Sequence, residues 1–128
     1  MKKKFKEFYK PQFTDSVNLE IWIIIDAVCK EYDVDRNMIF IRKNDRMYSE
    51  PRQIIMALMY YHLRLPMAIV GQYCGGRDHS TVVHARQSVC MLYDSNKFYA
   101  SRVRSIVSSI TSDPDVFHSL SMKIRMIT

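Results

Sequence analysis

Pro66-Met67-Ala68-Ile69-Val70-Gly71-Gln72-Tyr73-Cys74-Gly75-Gly76-Arg77-Asp78-His79-Ser80-Thr81-Val82-Val83-His84-Ala85 is the stretch on which the architecture turns. Proline opens a helix readily but cannot continue one, so Pro66 starts a short helix, Met67 to Tyr73, which the Gly75-Gly76 pair ends. Asp78 then caps a second helix, because a carboxylate there can accept from the free N–H groups of the first turn. Counted at about 100° per residue from His79, the residues Val82, Ala85, Val89, Leu92 and Tyr93 gather on one side. Ser80, Val83, His84 and Gln87 gather opposite. One side suits a core and the other is free. Two helices across a short glycine-containing turn, the second capped and polar on its outer side, make a helix-turn-helix candidate.

Working outward, the remaining periodic segments also read as helices. Ile21, Ile24, Ile25, Val28 and Tyr32 follow the i, i+3, i+4, i+7, i+11 spacing of one helical face. Asp35 is a cap for a short helix through Ile41, and Arg42, Lys43, Asn44, Asp45 and Arg46 then form a polar, basic loop. Pro51 fits a helix first turn, and Arg52 to Leu63, with Ile54, Ile55, Leu58, Met59 and His62 on one side, predicts the central buried helix. A long helix is expected over Lys97 to Ile110. Asp113-Pro114 caps a last one carrying Val116, Phe117, Leu120 and Ile124. With only three glycines, and no strict apolar alternation, hairpins have little to be built from. The expected fold class is all-α, a helical bundle containing the helix-turn-helix.

The chain has 128 residues, 48% of them hydrophobic and 25% charged, which suits one folded domain rather than a disordered segment or a multidomain enzyme. Three cysteines without CxxC spacing point to a reducing compartment rather than a disulfide scaffold. The Lys-rich start is followed by no apolar signal-peptide stretch, and the longest apolar run, Ile21 to Ile25, is too short to span a bilayer. The expectation is a soluble, cytoplasmic protein without a membrane segment. Its formal charge of +6 lies entirely in residues 42–104, between two balanced ends. A basic middle of this kind is the footprint expected of a protein that meets a polyanion, since cations on phosphates release condensed counterions.

The run Gly75-Gly76-Arg77-Asp78-His79-Ser80-Thr81-Val82-Val83-His84-Ala85 resembles the signature of the DNA-binding domain of the bacterial replication initiator DnaA. The likeness extends upstream through Pro51-Arg52-Gln53 and Ala57-Leu58 to the helix around Leu19 to Tyr32, and ends near Ile110. It implies a Trp-repressor-like helical domain that reads a short asymmetric element in double-stranded DNA. By the same likeness Asp78, His79 and Ser80 match base-contacting positions. Arg77, Thr81, His84 and Gln53 match phosphate-contacting ones, with Arg52 as an addition, and Arg42, Lys43, Asn44 and Arg46 match a basic minor-groove loop. The expected division is a basic extension at 1–16, the DNA-binding domain at 17–112, and an additional C-terminal helix at 113–128. The two extensions lie outside the likeness and are candidate surfaces for a protein partner.

Departures from the family pattern are specific. Asn44 stands at the minor-groove arginine, Glu50 where a basic residue is usual, Tyr60 at a phosphate-contacting lysine, and Met67-Ala68 at the usual Leu-Pro. They imply weaker or altered box specificity. No G-x-x-x-x-G-K-[ST] run occurs, so neither nucleotide binding nor an ATPase is expected, and no cofactor. His79 and His84 point about 140° apart on a helix, which disfavours a shared zinc site with Cys74 and Cys90. Ser80 and His84 lack an accompanying G-x-S-x-G or oxyanion element, so no catalytic residue is assigned. Two functions stay open at this point: occupancy of DnaA-box-like sites by a regulator, competitor or mobile-element factor, or a helical protein-interaction module that kept the fold and lost specific DNA binding.

Overall fold

The computed structural model describes residues 15–41 and 45–120. These form six helices: α1 (Asp15–Tyr32), α2 (Arg46–Tyr61), α3 (Met67–Tyr73), α4 (His79–Ser95), α5 (Lys97–Ile110) and α6 (Pro114–Leu120). No strand occurs among the described residues. The all-α expectation holds, and α3, α4 and α5 occupy the segments that proline, glycine and the caps mark out.

The centre of the bundle is α2, which packs against α1, α3, α4 and α6, while α5 closes the far side against α1 and α4. Its residues from Ile54 to Met59 are all buried, so this helix is apolar nearly all round, as an element enclosed by others must be. The α1 stripe Ile21, Ile24, Ile25 and Val28 meets it, each at most 3% exposed. Burying one such side chain is worth about 1.5–3 kcal/mol, which makes this seam a principal source of stability. From α4 come Val82, Ala85 and Val89, and from α5 come Val103, Ile106 and Val107. Val116 and Leu120 join the same core, so the described part of the 113–128 segment packs on the domain rather than hanging from it.

Two expectations are corrected. Asp35 to Ile41 is a series of turns, not a helix. The Asp35 carboxylate accepts from the Asn37 N–H at 2.9 Å instead of reaching a third-position donor, and Met38 N–H reaches the Asp35 carbonyl at 2.9 Å. The carbonyls of Ile39, Phe40 and Ile41 are taken here by arginine side chains from elsewhere in the chain. The second correction concerns α2, which begins at Arg46 and holds Pro51 inside it. Proline there forfeits only the bond to the Met47 carbonyl. The start is secured upstream, where Tyr48 and Ser49 N–H groups both reach the Asp45 carbonyl at 2.9 Å. Arg46 thus leaves the expected loop and opens a helix. Residues Arg42, Lys43 and Asn44 of that loop, and Ile124 of the last expected helix, lie outside the described residues.

Candidate nucleic-acid interface

The pitch of α4 against α3 is set by backbone rather than side chains. Gly75 and Gly76 have φ of 86° and 72°, a left-handed pair that side-chain-bearing residues adopt only under strain. Arg77 N–H then returns to the Gly71 carbonyl at 2.9 Å. The approach is so close that a Cβ on Gly71 would stand 2.1 Å from the Arg77 carbonyl oxygen, which accounts for glycine inside a helix.

Beyond this turn Asp78 adopts extended backbone and caps α4 as expected. One of its carboxylate oxygens, Oδ1, accepts from the Ser80 hydroxyl at 2.9 Å, and from the Thr81 N–H and hydroxyl at 3.2 Å each. The Ser80 hydroxyl and then the two Thr81 donors hold this carboxyl below its ordinary value, so it is charged at neutral pH. Asp78's other oxygen takes no part in those bonds and remains an acceptor. Asp78, His79, Ser80, Thr81, His84 and Gln87 are all exposed. The end of α4 therefore presents acceptors, imidazole nitrogens and hydroxyls side by side on the free face, next to the positive end of the helix dipole. Gln53 is half-buried on α2.

Two arginines expected on phosphates are used inside the protein. Arg52 is 4% exposed and its Nε donates to the Ile39 carbonyl at 2.9 Å. Burial lowers the pKa of its guanidinium from the ordinary value. Its place was legible, for Arg52 precedes Ile55 and Met59 by three and seven residues and so lies on the buried stripe of α2. Arg77 turns Nη1 onto the Phe40 and Cys74 carbonyls and Nη2 onto the Ile41 carbonyl at 3.1 Å. Nothing local announced the Phe40 and Ile41 contacts, because those two partners lie more than thirty residues upstream, whereas Cys74 is three residues away. Together the two guanidinium groups pin the 36–41 turns between α2 and the helix-turn-helix turn, at the root of the basic loop. Burial pushes the nearby Cys74 thiol up to about 12, so it is a neutral core group at physiological pH.

Glu50, the acidic departure, also has an internal use. It accepts from the Tyr32 hydroxyl at 2.7 Å and from Arg46 Nε at 3.2 Å, tying the start of α2 to the end of α1. Arg46 keeps most of its side chain in solvent while making that contact.

Residues 21–89, which span α1 to the middle of α4, match the family model described as the bacterial dnaA protein helix-turn-helix. Over 88 residues the chain is 31% identical to the chromosomal replication initiator protein DnaA of Synechococcus sp. (strain JA-2-3B'a(2-13)), covering 69% of this chain and 19% of that protein. The DnaA of Neisseria meningitidis serogroup C is 36% identical over 74 residues, 58% of this chain and 14% of its own length. That of Bacteroides fragilis is 30% identical over 83 residues, covering 65% and 17% respectively. The chain thus spans about a fifth or less of the length of these relatives. The matched region contains the close-approach glycine, the left-handed glycine pair and the aspartate cap, and with these the chain belongs to the bacterial DnaA helix-turn-helix family.

Proposed function

We propose that the chain binds double-stranded DNA at DnaA-box-like sites by laying the N-terminal turn of α4 in the major groove. The observation that carries this is the exposed, capped end of α4, held at a fixed pitch by the glycine turn, within a chain of the DnaA helix-turn-helix family. Asp78 is suited to accept from a cytosine amino group, and His79 and Ser80 to bond base edges or touch a thymine methyl. Thr81, His84 and Gln53 are suited to phosphates along the groove. Arg46, with Arg42, Lys43 and Asn44, would meet the minor groove. Sequence is read by the first group and register is held by the others.

The replication-initiator relatives suggest a role in replication control, as a regulator of or competitor for such sites. The reading needs no cofactor and no catalytic step, and the 128 residues contain no phosphate-binding loop of the G-x-x-x-x-G-K-[ST] type. No described helix is long and apolar enough to cross a membrane.

The test is binding to a duplex carrying a DnaA box against a scrambled duplex of the same length at one salt concentration. Tighter binding to the box supports the reading. Equal or absent binding would refute box recognition and favour a helical interaction module.

A further inference from the structure

Arg86 is placed unlike the arginines that meet a carboxylate or a carbonyl, and unlike the exposed Arg104, which lies over the Tyr93 ring, it is half-buried. Arg36, Arg46 and Arg102 face carboxylates, and Arg52 and Arg77 face backbone carbonyls. Arg86 instead lies over two neutral rings, its guanidinium carbon 5.0 Å from the Tyr60 centroid and 6.0 Å from that of Tyr61. Nη1 donates to the Tyr61 hydroxyl at 3.1 Å, Nε is buried without a hydrogen-bond partner, and Nη2 takes no part in the tyrosine bond. The Tyr61 hydroxyl is itself fixed by the Cys90 thiol at 3.3 Å. No carboxylate lies within ion-pair distance of Arg86 among the described residues. A half-buried cation stripped of part of its water and given no anion gains more from meeting one than a fully hydrated cation does.

Its position says where that anion would come from. Arg86 follows His79 by seven residues, so it stands on the same edge of α4, about 20° round and about 10 Å further along. Only the N-terminal turn of α4 meets base edges in the proposed docking, and about 10 Å further along, where a helix with its side chains is about as wide as the major groove, a residue on that edge lies beside the phosphate wall. The tyrosine cradle fixes one side of the guanidinium fork, which lowers the entropy lost on meeting a phosphate.

We infer that Arg86 is a phosphate clamp, held by Tyr60 and Tyr61 against the DNA strand bordering the α4 groove. The inference rests on the DNA-binding function proposed above and adds a contact to it. Its test is the affinity of the full chain for box and scrambled duplexes across a salt series, for wild type, Arg86→Lys and Arg86→Gln. Arg86→Gln should weaken both duplexes by the same factor, roughly tenfold, and lower the log K against log salt slope by about one; Arg86→Lys should keep the slope. A folded Arg86→Gln with wild-type affinity and slope would overturn the clamp and leave the α4 assignment standing. Wild-type chain that binds neither duplex would overturn both. Since Arg86→Gln disturbs two tyrosines and can unfold the chain, phenylglyoxal modification of wild type, read by peptide mass spectrometry, supplies the second measurement. Either duplex should protect Arg86, and unchanged modification on a saturated duplex would overturn the clamp.

Discussion

Replacing Arg77 by alanine separates holding the fold from holding DNA. The substitution removes donors from the Phe40, Cys74 and Ile41 carbonyls while leaving the backbone N–H of residue 77 on Gly71. A hydrogen bond from a charged donor contributes about 1.5–3 kcal/mol when buried; these are only partly buried and share one side chain, so the loss should total about 2–4 kcal/mol. For a domain of this size that lowers Tm by roughly 7–15 °C. The assay is circular dichroism melting together with duplex binding across a salt series. Arg77→Ala should lose stability, and lose affinity only as far as the pitch of α4 loosens, with an unchanged salt slope. A side chain turned onto carbonyls displaces no counterion from phosphate. A Tm within about 2 °C of wild type, combined with a slope lower by about one, would refute the structural role and return Arg77 to the phosphate contacts.

Gly75→Ala should cost about 2 kcal/mol or more in a denaturant melt, because its φ is 86° and the new Cβ would stand 2.5 Å from Arg77 Nη1 and 2.8 Å from the Phe40 carbonyl oxygen; an unchanged midpoint would show that the turn relaxes freely. His79→Ala should reduce affinity for the preferred duplex by roughly tenfold and leave scrambled duplex alone, which competition binding at fixed salt measures. The Asp78 carboxyl is held below its ordinary value of 3.8 in the folded chain, so its contribution is present above about pH 4 and is lost as pH falls through the lower folded value. Melting Asp78→Asn and wild type from pH 5 down to pH 2.5 should therefore show the shallower acid loss in the variant, and parallel curves would mean that the cap bonds do not favour the charged form.

The carbonyl partners of the Arg52 and Arg77 side chains were not legible in the sequence, for one physical reason. A guanidinium reaches about as far into a protein as out of it, and its choice depends on where unsatisfied carbonyls lie. All but the Cys74 carbonyl belong to the 36–41 turns, whose own conformation departs from the helix that Asp35 suggested. The turns and the two arginines form a single event: the turns leave carbonyls free, and the arginines satisfy them. Glu50 follows the same logic, since its apparent conflict with a basic surface disappears once the Tyr32 hydroxyl stands 2.7 Å away.

The local chemistry of the chain determined the rest. Pro66, Gly75-Gly76, Asp78 and Asp113-Pro114 act within a few residues of themselves, so the bounds of α3, the start of α4 and the start of α6 were readable, as were the core stripes of α1 and α4. The family resemblance, carried by consecutive residues, was readable too. Only tertiary structure decided that Val116 and Leu120 would join the main core, and that Arg86 would lie on Tyr60 and Tyr61. Each of these depends on contact between segments distant along the chain, and side-chain periodicity records which face of an element is apolar but not which partner will meet it.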